Sequence, residues 1–388
     1  MHKRISQKNL SCSSFRWSDF IFLDSGGKRS LPTSFTLGVL EGEGVGHEVI
    51  QAAMQVLSAL ESIGKNKFKV AFGGLIGTEA ESECGKPLSD EVLEFCRTVF
   101  SEKGAILSGP GGGRFVYDLR REFDLFCKIS PIKTSPELSR AVHIKSAYLK
   151  NVDILLIREN ASGIYQGSWN EMPTKSEGMR AEQSFFYTEK QVRRILEVAA
   201  RIARSRRGEI AVVLKDAGIP TISKLWKECA VEIASRYGLK YSFPNVDYAA
   251  YRLVQNPRDF DVIVASNLFG DVLADLGGVL LGSRGITYSG NFSGNGAAVY
   301  QTNHGSCYDL ASQNMANPIG QIFSLAMLLR ESFGLSQDAC LIEDAVVETW
   351  RQGWRTADLA ERGARVVGTR EMGNLVADTL IKISQTRA

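Results

Sequence analysis

Three of the five aspartates in residues 245–280, Asp247, Asp271 and Asp275, stand next to apolar residues. Asp271 and Asp275 are four residues apart in FGDVLAD, which reads as the opening turns of a helix following the apolar run DVIVASN. At that spacing the two carboxylates share one helix face with Cβ atoms about 5–6 Å apart, where like charges repel. A cation between them removes the repulsion, and an all-oxygen set drawn from separate segments suits Mg²⁺ or Mn²⁺. An isolated D-x-x-x-D is most often a solvated acidic face. The strand-to-helix junction, where open α/β sheets hold their ligands, favours the metal.

Other residue types complete a recognisable chemistry. Lys215 ends the apolar run EIAVVL, a position open both to plain solvation and to a role as general base. Arg120 in DLRRE and Arg158 in LIREN stand beside acidic residues. Such arginines form surface ion pairs or grip carboxylates, because the planar guanidinium matches both carboxylate oxygens. Oxidising a 2-hydroxy acid needs a base for the hydroxyl proton, a hydride acceptor and a positive centre for the developing carbonyl oxygen. If a carboxylate sits β to that carbonyl, the same centre stabilises the enolate left by loss of CO₂.

The elements that must position these groups alternate along the chain. SFTLGVLEG is a β-rich run, and the next segment places Val49, Ile50, Ala53, Met54, Leu57 and Leu60 at helical spacing. Between them, GEGVG fails as a dinucleotide fingerprint because His47 occupies the sixth position. It reads instead as a tight turn at a pocket edge. SDEVLEFCRTVFSEKG predicts a helix capped by Ser89, and GPGGG a loop whose backbone approaches a ligand or acts as a hinge. EKQVRRILEVAARIARSRR predicts a basic amphipathic helix, a solvated face in preference to a nucleic-acid or membrane surface. Strands alternating with helices imply a largely parallel sheet flanked by helices.

Composition bounds the partners. The chain has 388 residues, 44% hydrophobic and 23% charged, which is enough for two cores. The net charge of +3 is concentrated before residue 31, where Lys3, Arg4, Lys8, Arg16, Lys28 and Arg29 face only Asp19 and Asp24. The near-neutral remainder calls for no nucleic acid. Seven scattered cysteines read as reduced thiols, and four histidines without metal spacing argue against zinc. No apolar run approaches the ~20 residues that cross a bilayer. A cytoplasmic protein follows, while the basic, Ser-rich residues 1–34 read as a disordered or targeting extension that leaves organellar import open.

The ordered motifs LEGEGVGHEV, DLRREFDLF, IRENASGIYQG, VLKDAG, NVDYAA, SNLFGDVLAD, NHGSCYDLASQNMANP and GWRTADLA resemble the β-decarboxylating dehydrogenases. That family contains the 3-isopropylmalate, isocitrate and homoisocitrate enzymes, and the resemblance spans about residues 35–385. It implies an isopropylmalate/isocitrate dehydrogenase-like α/β fold of two domains. Residues 35–130 and 278–388 would form the large cofactor domain. Residues 131–277 would form the small one, with a dimerisation arm at about 166–187. It further implies a homodimer with shared active sites, a small 2-hydroxy acid substrate, NAD, and Mg²⁺ or Mn²⁺ on Asp247, Asp271 and Asp275.

By the same resemblance Lys215 is the catalytic lysine and Tyr165 the residue that protonates the enol. Arg120 and Arg158 grip substrate carboxylates, with Asp247 reaching the substrate of the partner subunit. His304, Gly305, Ser306, Asp309, Leu310 and Asn317 line the cofactor, and a carboxylate at Asp309 favours NAD over a 2′-phosphate. Val116 stands where isocitrate-type enzymes carry a polar residue, which favours an apolar γ-substituent or a smaller malate- or tartrate-like acid. Two departures stand out. Ile129-Ser130-Pro131 replaces a Leu-Arg-Pro triplet, so a third carboxylate-binding arginine is missing unless Lys128 or Arg114 fills its place. Gln301-Thr302-Asn303 replaces Glu-Pro-Val. The implied reaction is oxidative decarboxylation of 3-isopropylmalate or an analogue, with isocitrate, homoisocitrate, tartrate or malate as other substrates. The missing arginine also leaves open a non-catalytic regulatory subunit of an isocitrate dehydrogenase.

Overall fold

The computed structural model describes residues 15–22, 34–64 and 66–387. In chain order, the first part comprises β1 (Phe35–Leu40), α1 (Gly46–Ile63), β2 (Phe68–Phe72), α2 (Gly77–Cys84), α3 (Asp90–Ser101), β3 (Ala105–Ser108), α4 (Phe115–Glu122) and β4 (Cys127–Lys133). The middle comprises α5 (Ser146–Leu149), β5 (Asp153–Glu159), β6 (Ser168–Pro173), β7 (Met179–Ser184), α6 (Glu189–Arg204), β8 (Glu209–Val213), α7 (Pro220–Tyr237), β9 (Lys240–Ser242), α8 (Val246–Gln255), β10 (Val262–Ala265) and α9 (Asn267–Leu281). The last part comprises β11 (Tyr288–Phe292), β12 (Ala298–Thr302), α10 (Ile319–Glu331), α11 (Ser336–Arg351), β13 (Trp354–Arg355), β14 (Arg365–Val366) and α12 (Thr369–Arg387).

Ten strands form one sheet in the order β2-β1-β3-β12-β11-β4-β5-β10-β8-β9. Both flanks are parallel, as the alternation of strands and helices requires. The centre is antiparallel, through β12–β11, β11–β4 and β4–β5. There the chain enters its middle part on β4 and returns on β11. The fold class is therefore the expected α/β arrangement with a largely parallel sheet.

Local signals explain the elements. Ser89 Oγ accepts from the Val92 N–H at 3.2 Å and starts α3. Thr188 and Gln191 close a reciprocal capping box on α6. The buried face of α6, from Val192 to Ala203, packs into the main core, while Arg193, Arg194 and Arg201 pair within the chain. Arg193 reaches Glu232 and Arg194 reaches Asp124 at 2.7 Å. That neutralisation is the physical content of the solvated-face reading.

Two readings change. Residues 15–22 are ordered and docked, whereas the sequence reading treated the whole extension as disordered or targeting. Ile21 and Phe22 are buried, and the Ser18 N–H donates to the Glu331 carboxylate at 2.9 Å. Residues 1–14 and 23–33 lie outside the described residues. Among the cysteines, Cys84, Cys96, Cys127, Cys229 and Cys307 are free thiols. Cys340 is disulfide-bonded, which corrects the reading of seven reduced thiols. No helix among the described residues is long and apolar enough to cross a membrane.

Candidate active site

The carboxylate helix α9 leaves β10 and lies across β5 and β4. Two glycines permit that closeness. A Cβ on Gly270 would stand 2.8 Å from the Arg158 side chain, and one on Gly277 would strike Ile132. Asp271, one residue beyond Gly270, forms an ion pair with the buried Arg158 of β5. Arg158 also donates from Nε to Asn267 Oδ1 at 2.9 Å, so its guanidinium is fixed from two sides. Burial acts to raise the pKa of Asp271, but Arg158, Lys128 and a hydrogen bond from Tyr165 outweigh it and hold the carboxyl below its ordinary range. Asp275, on the same helix face, pairs with Arg284 at 2.8 Å.

Tyr165 lies in a turn after β5, with Arg158 over its ring at 5.7 Å and Tyr117 of α4 beside it at 5.2 Å. Burial first, then the charge of Asp271, push its phenol up to about 12. The hydroxyl therefore keeps its proton through the neutral range. Arg120, on the next turn of α4, is 5% exposed and has no hydrogen-bond or ion-pair partner among the described residues. Val116, one turn before it, is half-buried and packs at the edge of an apolar cluster with Phe115 and Leu119.

Of the two candidates for the place left by the missing arginine, Arg114 is already engaged. It stacks on Trp169 of β6 at 4.5 Å and donates to the Tyr165 carbonyl at 3.2 Å. Lys128 is buried beside Arg158 across the β4–β5 pairing. Burial and then the charges of Arg120 and Arg158 push its pKa down, while Asp271 and Asp275 pull it up.

Lys215 and Asp247 form a separate pair, with Nζ 2.8 Å from Oδ1 and both side chains exposed. The hydrogen bond from Lys215 holds the Asp247 carboxyl below its ordinary value. Within one chain Asp247 does not join Asp271 and Asp275, and no group of three acidic, His or Cys side chains gathers among the described residues. Asp271 and Asp275 are oxygen donors, half exposed at 41% and 48%, so they suit a divalent ion whose remaining ligands come from outside this chain.

The cofactor segment sits against the glycine turn. Gly44, at φ +60°, has no room for a Cβ because the Ser306 carbonyl occupies that space. The same carbonyl accepts from the Val45 N–H at 2.8 Å. Glu43, fully buried, ties two loops and the first turn of α2 together: it accepts from the Gly112 N–H, the Glu79 N–H and Ser306 Oγ. Sequence reading passed over Glu43; an acid between two glycines beside an apolar strand was the available signal. His304 is half-buried next to Gly305, its imidazole kept below its ordinary value by burial, with Arg284, Asp358 and Asp275 acting on it. Asp309 is exposed and Leu310 half-buried. Asn317 is buried, donating to Asp358 at 3.0 Å and accepting from the Ile319 N–H at 3.1 Å, which leaves one amide N–H unused. Gln301 and Thr302, in place of Glu-Pro, are buried within β12.

A largely parallel α/β sheet thus carries acidic residues on the helix that leaves it and basic side chains beside them, and the protein's relatives identify it as an oxidoreductase acting on a CH–OH group. The chain belongs to the isocitrate/isopropylmalate dehydrogenase family, whose model matches residues 36–376. It is 37% identical over 368 residues to 3-isopropylmalate dehydrogenase of Carboxydothermus hydrogenoformans, covering 91% of this chain and 96% of that one. Against the 3-isopropylmalate dehydrogenase of Aquifex aeolicus it is 35% identical, with 90% and 98% coverage. The solved isocitrate dehydrogenase from Methylococcus capsulatus superposes with a TM-score of 0.79 at 28% identity, covering 89% of this chain and 99% of that one.

Proposed function

We propose that the protein catalyses the NAD-linked, divalent-metal-dependent oxidative decarboxylation of a malate-type 2-hydroxy acid, 3-isopropylmalate or a close analogue, as a homodimer. The observation that carries this is the joint placement of Arg120, Arg158, Tyr165 and Asp271 around the start of α9. A diacid docked there meets cationic groups on one side and carboxylates suited to Mg²⁺ or Mn²⁺ on the other. Bound between those carboxylates, the ion would supply Lewis-acid polarisation of the carbon being oxidised. Arg120 orients a substrate carboxylate, and Tyr165, still protonated, donates to the enol carbon. Lys215 takes the hydroxyl proton in the partner's site, with Asp247 beside it.

Dimerisation rests on this chain's own surface. Every residue of strands β6 and β7 is exposed, including Trp169, Met172 and Met179. An isolated two-stranded ribbon is marginal in water, so a second arm packed on it is the natural complement. Tyr248 and Tyr251 on α8 and Val272 and Val279 on α9 are exposed beside Asp247, Asp271 and Asp275. We retain the division at residues 130 and 278 as a proposal, because β4 and β11 meet in the antiparallel centre of the sheet. Asp309, an exposed carboxylate with no ion pair among the described residues, would repel a 2′-phosphate and so supports NAD.

Steady-state assays with NAD and Mn²⁺ on isopropylmalate, isocitrate, homoisocitrate, tartrate and malate test this reading. Isopropylmalate is expected to give the highest kcat/KM; absence of turnover on all five would defeat it. A regulatory-subunit role has less support, since Lys215, Tyr165 and the three aspartates are all present.

A further inference from the structure

We infer that Lys128 is a substrate-binding residue that holds the second carboxylate of a 2-hydroxy diacid, taking over a charge that Ser130 lacks. The inference rests on the proposed reaction and names a residue which that reading leaves unassigned.

The placement follows from strand geometry. Lys128 pairs with Arg158 on β5 and with Asn291 on β11, and cross-strand partners share a face. Ile132, four residues on and so on the same face, has its side chain against Gly277 of α9. Arg158 lies against Gly270 of the same helix. Lys128 therefore projects beneath the start of α9, where Asp271 and Asp275 are carried. Ser130 is on that face as well and brings no charge to it.

What marks Lys128 is the lack of a partner. It is 4% exposed, yet no hydrogen bond or ion pair to its ammonium exists among the described residues. Its cross-strand neighbours are engaged elsewhere. Arg158 is held by Asn267 and Asp271, while Asn291 donates to the Val299 carbonyl at 3.1 Å and accepts from Asn160 at 3.0 Å. Asp275 is paired with Arg284, and Arg120, whose guanidinium lies 5.7 Å from the centre of the Tyr117 ring, has no hydrogen-bond or ion-pair partner among the described residues. A lysine whose stem is buried and whose ammonium has no hydrogen-bonded partner is costly to hold charged, and one with only a structural duty would be paired or replaced. Lys128 and Arg120, neither with an ion-pair partner among the described residues, thus face a space bordered by two carboxylates, Asp271 and Asp275, each already paired with another arginine. An anion supplied from outside fits that imbalance. With Asp271 and Asp275 reserved for the metal side, the group it takes is the carboxylate remote from the hydroxyl. Lysine offers a point charge there in place of a bidentate fork.

The test compares the full-length enzyme with Lys128→Met and Lys128→Arg. Lys128→Met should raise KM for the diacid roughly 10- to 100-fold, the range for losing a charge-assisted hydrogen bond. KM for NAD should stay within twofold, Tm should be equal or higher, and Lys128→Arg should recover part of the loss. A diacid whose second carboxylate is converted to the amide should bind the parent much more weakly than the diacid does, a preference absent from Lys128→Met. A KM within threefold of the parent, with the diacid preference intact, overturns the assignment. If the parent turns over no tested acid, the reaction is wrong, and calorimetric titration of malate with Mn²⁺ decides Lys128 alone. Binding present in the parent and lost in Lys128→Met upholds it; equal binding, or none to either, overturns it.

Discussion

Arg158 and Asp271 form an ion pair between a central strand and the helix that crosses it, with the arginine 2% and the aspartate 41% exposed. The asymmetry matters. The buried cation is anchored by Asn267 as well, so the carboxylate can turn toward a ligand without leaving the guanidinium unsupported. A second acidic side chain, Asp275, waits one turn further along the same face.

Removing the acidic group should therefore remove metal dependence together with activity. Asp271→Asn is expected to lower kcat roughly 10³-fold or more. Dialysis of the parent against EDTA should abolish turnover, and Mn²⁺ should restore it in the parent but not in Asp271→Asn. Full activity after chelation would remove the metal from the mechanism.

Lys215 and Asp247 stand apart from the Asp271 group within one chain, which makes a mixing experiment decisive. Lys215→Met and Asp271→Asn homodimers should both be inactive. Unfolded and refolded together, they should regain about one quarter of parent activity, because half the dimers are mixed and each holds one intact site. Sites confined to single chains would leave the mixture dead.

Glu331 gives a pH signature. Burial raises its pKa from 4.5 to about 7, opposed by the Ser18 hydrogen bonds and Arg330. A raised folded-state value means the contribution to stability is fully present below pH 4.5 and is lost as pH climbs through 7, a change of about 3 kcal/mol. Glu331→Gln keeps an acceptor for the Ser18 N–H. Its Tm should exceed that of the parent at pH 8, and the difference should disappear by pH 5. A pH-independent difference would show that Glu331 ionises normally.

The docked segment at residues 15–22 should matter for stability and not for catalysis. Ile21 and Phe22 are both buried, each worth about 1.5–3 kcal/mol. Deleting residues 1–22 should lower Tm by roughly 5–10 °C and leave kcat and KM within twofold. Differential scanning calorimetry and steady-state kinetics on the truncated protein check both parts.

Much was readable in the residues themselves. Alternating apolar runs and glycine turns dictated the α/β class, since short strands and amphipathic helices carry their period in the sequence. The caps at Ser89 and Thr188, the acidic pair of α9 and the arginines of DLRRE and LIREN were likewise legible, because those signals are local. Tertiary structure alone decided what depends on contacts across the chain: the antiparallel centre of the sheet, the separation of Asp247 from Asp271, the prior engagement of Arg114 and the docking of Ser18 on Glu331. Lys128 shows why. Its identity was visible from the start, but its burial and lack of a hydrogen-bonded partner arise from strands distant in sequence, and only their register places it beside Arg158 beneath α9.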